Sequence, residues 1–115
     1  MIRNAVNRAS LAPLSAAAIL FALSLNSASA IATEPNTIVL ENFHFAPASL
    51  TIAAGTTVTW ENLDEESHTV VSPDGLFRSS GLERSDKFSF TFDKAGTYRF
   101  VCSIHPQMIG TIIVK

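Results

Sequence analysis

Lys87-Phe88-Ser89-Phe90-Thr91-Phe92 alternates apolar and polar residues without a break, Asp93-Lys94-Ala95-Gly96 interrupts it, and Thr97-Tyr98-Arg99-Phe100-Val101-Cys102 alternates again. Side chains on a strand point to opposite faces in turn, so a period of two marks a segment with one face buried. Phe88, Phe90 and Phe92 would face inward, with Ser89 and Thr91 outward. Tyr98, Phe100 and Cys102 share one parity and point into the interior as well. The run from Asp93 to Tyr98 also resembles a tyrosine corner, in which a Tyr hydroxyl pins a crossover by bonding backbone upstream of it.

The same period extends in both directions. Thr37 to Phe45 reads as a strand ending before Pro47. Ser49 to Ala53 places Leu50 and Ile52 on one face, and Gly55 breaks it. Thr56 to Glu61 alternates with Val58 and Trp60 inward. Ser67 to Ser72 reads as a further strand closed by the turn Pro73-Asp74-Gly75. Leu76 to Asp86 is irregular, and Gly110 to Lys115 is the last strand. Many short alternating segments and no helical period predict an all-β, antiparallel two-sheet sandwich or small barrel of about seven to eight strands.

The first thirty residues differ from the rest. Arg3 and Arg8 precede a mostly apolar run from Leu11 to Leu25, and Ala28-Ser29-Ala30 follows. That order reads as a secretory signal peptide over residues 1–30, cleaved after Ala30, with a single domain over 31–115. The expected location is periplasmic or secreted. From residue 31 the chain carries six basic against ten acidic residues, a formal charge of −4. That excludes the clustered cations nucleic acid requires. Cys102 is the only cysteine, so no disulfide forms within the chain. A lone thiol in an oxidising compartment calls for burial or a metal, and a small domain gains stability from a metal.

Cys102-Ser103-Ile104-His105-Pro106-Gln107-Met108 places thiolate, imidazole and thioether with two residues between each pair. A continuous strand would scatter them over two faces, whereas a tight loop at a strand end can aim all three at one centre. His68 shares parity with Val70 and is the natural fourth donor. Each of the four, taken alone, is an ordinary buried or surface residue. Together, two imidazoles, one thiolate and a weak axial thioether make the donor set of blue copper. Zinc is the rival, but structural zinc sites use Cys and His without Met.

The runs Ala54-Gly55-Thr56-Thr57-Val58-Thr59-Trp60, Ser67-His68-Thr69-Val70, Gly96-Thr97-Tyr98, Cys102 to Met108 and Gly110-Thr111 resemble the plastocyanin and amicyanin group of cupredoxins. The ligand loop is most similar to amicyanin, including Pro106 after the second His. The resemblance implies a Greek-key β-sandwich, a mononuclear type 1 copper, and carriage of single electrons between a protein donor and a protein acceptor. By position it assigns His68, Cys102, His105 and Met108 as ligands. Ile104 stands where amicyanin has proline and keeps an N–H that is expected to donate to the Cys102 sulfur, a bond of the kind that tunes a metal. Gln107 replaces an apolar residue, which weakens the expected apolar surface around His105.

His44, between Phe43 and Phe45, is expected at the surface. Glu61, Asp64, Glu65 and Glu66 are either a solvated loop or an acidic patch that steers a basic partner. Neither a hydrolytic triad nor a phosphate loop is visible, and the chain reads as a monomeric carrier rather than an enzyme. A copper-buffering or copper-delivering protein is the alternative, although such proteins use several Met or His, and this chain has one Met and three His after residue 31.

Overall fold

The computed structural model describes residues 34–115. The signal-peptide reading of residues 1–30 lies outside them. Among the described residues there are seven strands: β1 (Thr37–Glu41), β2 (His44–Ala46), β3 (Ser49–Ile52), β4 (Thr56–Asn62), β5 (Lys87–Phe92), β6 (Gly96–Val101) and β7 (Ile109–Val114). They form two sheets, ordered β2-β1-β4-β5 and β3-β7-β6. Among the described residues no helix is long and apolar enough to cross a membrane.

The inward residues of both sheets meet in one core. Ile38, Leu40, Val58 and Trp60 come from the first sheet, and Phe100, Ile112 and Val114 from the second. Trp60 and Phe100 bridge the layers edge to face, with ring centroids 5.3 Å apart. Phe92 is buried, and Phe88 and Phe90 pack against the core from its margin. Opposite them, Ser89 pairs its hydroxyl with Thr59 and Thr91 with Thr57 across β4 and β5. The Tyr98 hydroxyl donates to the Lys94 carbonyl at 2.7 Å, so the tyrosine corner closes as expected.

Three features depart from the sequence reading. First, both sheets are mixed: β1 runs parallel to β4, and β3 parallel to β7. Alternation reports which face is buried, not which way a neighbour runs. Second, Thr37 to Phe45 is two strands, because Asn42 and Phe43 have φ of 52° and 60° and turn the chain into an antiparallel hairpin. The fold therefore sends Phe43 to the surface, where it is 42% exposed, while Phe45 is buried and His44 exposed as expected. Third, Ser67 to Ser72 makes only isolated bridges, His68 with Leu82 and Val71 with Arg78 and Val101. It is extended backbone stitched to β6 on one side and to Arg78 and Leu82 on the other, rather than built into either sheet.

Candidate metal centre

Cys102 lies one residue beyond β6 and is fully buried. The loop after it is closed by two backbone bonds, from the Cys102 N–H to the Met108 carbonyl at 3.1 Å and from the Met108 N–H to the His105 carbonyl at 2.9 Å. That closure curls His105 back toward the Cys102 sulfur. Met108 starts the return into β7 and is 2% exposed. His68 reaches the same point from the extended segment between β4 and β5 in the chain, held by bonds between its backbone and that of Leu82.

The result is a triangle of donor atoms. The Nδ1 atoms of His68 and His105 are 3.2 Å apart, and the Cys102 Sγ is 3.9 Å from the first and 3.7 Å from the second. A point equidistant from the three corners lies about 2.1 Å from each, inside the roughly 2.0–2.3 Å of ordinary metal–nitrogen and metal–sulfur bonds.

Protonation agrees with that size. The His68 Nε2 is 2.8 Å from the Asp64 Oδ2. Burial pushes the Asp64 carboxyl up, but the N–H groups of Phe43 and Asn42 and the His68 ring outweigh it and hold the carboxyl below its ordinary range. An ionised carboxylate only accepts, so Nε2–H is the donor, and Nδ1 is the ring nitrogen turned toward the triangle. Burial also pushes the Cys102 thiol up. The Thr69 N–H, the His105 ring and backbone and the His68 ring reverse this and bring it down to about 6. The triangle thus presents a sulfur held toward its thiolate form beside two imidazole nitrogens. A cation at its centre satisfies them all, and soft sulfur with two imidazoles suits copper.

The Cys102 sulfur accepts from the Thr69 N–H at 3.4 Å and from the Thr69 hydroxyl at 3.8 Å. Ile104, expected to supply that N–H, makes no such bond among the described residues; it stands 53% exposed. Thr69 is on the segment crossing behind the sulfur, whereas Ile104 lies on the outer arm of the loop. The Thr69 Oγ1 also accepts from the Ser103 N–H at 2.8 Å, tying the two ligand segments together.

Asp64, read in the sequence as a member of an acidic surface loop, is instead turned inward. It accepts from the N–H groups of Asn42 at 2.7 Å and Phe43 at 3.0 Å as well as from His68. Glu65 pairs with Arg84, and Glu61 lies 4.0 Å from Lys87, so that loop presents less free charge than its composition implies. Asn62 is buried, donates to the carbonyls of Glu66 and Leu82, and accepts from the Asp64 N–H, which fixes the loop leading to His68.

Residues 14–114 match the family model for a cupredoxin-like domain. Amicyanin of Paracoccus versutus is 32% identical over 81 residues, which span 66% of this chain and 61% of that protein. Amicyanin-alpha of Methylorubrum extorquens is 30% identical over 112 residues, 93% of this chain and 94% of the relative. A purple cupredoxin from Nitrosopumilus maritimus has a similar structure, with a TM-score of 0.64 and 32% identity over 69% of this chain and 98% of its own. A copper-containing nitrite reductase from Thermus scotoductus also matches, with a TM-score of 0.66 and 33% identity over 71% of this chain but only 22% of the enzyme.

Proposed function

The chain belongs to the cupredoxin-like family and takes copper as its cofactor, and on that premise we propose that it holds one copper through His68, Cys102, His105 and an axial Met108, and carries single electrons between redox proteins. The observation that carries this reading is the donor triangle, whose dimensions suit one ion. Bound copper supplies a Cu(II)/Cu(I) couple. The protein supplies a site that resists rearrangement. Asp64 fixes the His68 tautomer, Thr69 donates to the sulfur, and burial keeps water from Cys102. A donor set held in one place for both charge states keeps the cost of each electron step small.

His105 is the ligand nearest solvent, being only partly buried while His68 and Cys102 are enclosed. Phe43, Ile104 and Ile109 are exposed large apolar residues at this pole. Phe43 lies 5.0 Å from the His105 ring, and the reading takes His105 as the point of exit toward a protein partner. Export to the periplasm or beyond, after cleavage at Ala30, belongs to the same proposal, as does a role as carrier rather than enzyme.

Loading with copper tests it. An intense blue or purple colour, a spin-resonance spectrum with narrow copper hyperfine splitting and reversible one-electron reduction are expected, and Cys102→Ser should abolish the colour. A colourless protein that retains only Cu(I) and passes it to a chelator would point to copper delivery instead.

A further inference from the structure

The two imidazoles of the triangle are not anchored alike. His68 is buried and its Nε2–H is fixed by Asp64. The His105 ring makes hydrogen-bond contacts only through Nδ1, toward His68 and Cys102, among the described residues. Its orientation needs another support. Phe43 lies against both rings, with centroids 5.3 Å from His68 and 5.0 Å from His105, and stands nearly perpendicular to each, at 87° and 86°. Perpendicular contact is the favoured geometry of paired aromatic rings.

Phe43 reaches that place at a cost. Its φ of 60° and the 52° of Asn42 lie in the left-handed region, which a bulky residue seldom adopts. A two-residue hairpin with both angles positive ordinarily takes Asn-Gly. The Asp64 carboxylate takes the N–H groups of both turn residues, and the same Oδ2 receives His68. One carboxylate therefore clamps the strained turn and the first imidazole, and the turn holds a ring against the second.

We propose that Phe43 is a positioning residue for the metal centre: the Asn42-Phe43 turn, clamped by Asp64, holds the His105 imidazole in its ligating pose alongside His68. This rests on the reading of those two histidines as copper ligands. It explains why an exposed phenylalanine occupies a backbone conformation that suits glycine.

The test compares wild type with Phe43→Gly, which suits the turn and removes only the ring, with Phe43→Leu, which keeps apolar bulk, and with Phe43→Tyr, which keeps the ring. In the metal-free protein, NMR signals of the His105 ring should broaden through exchange between ring poses for Gly and Leu, beyond the shift that loss of the Phe43 ring current itself produces, and keep wild-type width for Tyr. In the copper-loaded protein, release to a chelator should be at least about tenfold faster for Gly and Leu, as for loss of other groups that orient ligands, and within about twofold of wild type for Tyr. Wild-type ring linewidths and wild-type release in either Phe43→Gly or Phe43→Leu would overturn the proposal. A wild-type protein that gains no colour with copper would sink the ligand reading instead, while the metal-free ring signals still judge Phe43.

Discussion

Asp64 shows how much one side chain can decide at this site. It accepts three hydrogen bonds at 2.7–3.0 Å, two from backbone and one from an imidazole. Replacing it with alanine leaves the Asn42 and Phe43 N–H groups without their acceptor and lets the His68 ring exchange tautomers. Asp64→Ala is expected to cost about 1–3 kcal/mol of folding stability, the usual penalty for stranding polar partners. It should also weaken copper binding roughly 10–100-fold, as removal of a group behind a ligating histidine does. Denaturant unfolding of the metal-free protein measures the first, and competition with a calibrated chelator the second. Asp64→Ala with wild-type copper affinity would mean that His68 is oriented without it. The three residues of the triangle, His68, Cys102 and His105, were legible in the sequence because their types are chemically distinctive and two of them sit in one short loop. Asp64 was not, since an aspartate in an acidic run looks like solvated charge, and only the folded turn shows which one points inward. Thr69 was missed for a similar reason: a backbone N–H has no signature in the residue that bears it.

At the scale of strands, alternation located β3 to β7 closely, because each has one face in the core and its parity survives in the sequence. It failed where another constraint overrode parity. Asn42-Phe43 carries no glycine to betray the turn, and Ser67 to Ser72 is extended without joining a sheet. The β6–β7 pair rests on a second constraint that alternation does not express. Phe100 sits opposite Gly110, and a Cβ at position 110 would lie 2.1 Å from the Phe100 Cζ and 2.4 Å from its Cε2. The ring cannot retreat, because it is fully buried and also contacts Phe45 and Trp60. Gly110→Ala should therefore destabilise the fold by about 2–3 kcal/mol or more, at the upper end of overpacking costs. Chemical denaturation would read this as a lower midpoint at unchanged slope. Because Gly110 is two residues from Met108, the same variant should also disturb the loop closure beyond β6. A midpoint equal to wild type would show that Phe100 has room the packing does not reveal.

Across the whole molecule, the donors connect parts of the chain that are otherwise joined by few bonds. His68 belongs to the extended segment bridged to β6 and Leu82, and Cys102 and His105 to the loop between β6 and β7. The direct ties between the two segments are the Val71–Val101 bridge and the bonds of Thr69 to Ser103 and the Cys102 sulfur. An ion in the triangle adds bonds that exist only in the folded state, since the unfolded chain separates residue 68 from residue 102. Metal binding then becomes folding stability. At free copper about a thousandfold above the dissociation constant the gain is about 4 kcal/mol. For a domain of this size each kcal/mol moves the unfolding temperature by roughly 4–8 °C, so loading should raise it by about 15–30 °C. Calorimetry of the copper-loaded protein, repeated after chelation, measures the difference directly. The increment should be lost in Cys102→Ser, whose hydroxyl is a far poorer donor to Cu(I) than a thiolate. An unfolding temperature indifferent to copper would mean that the triangle, whatever its dimensions, does not receive the ion.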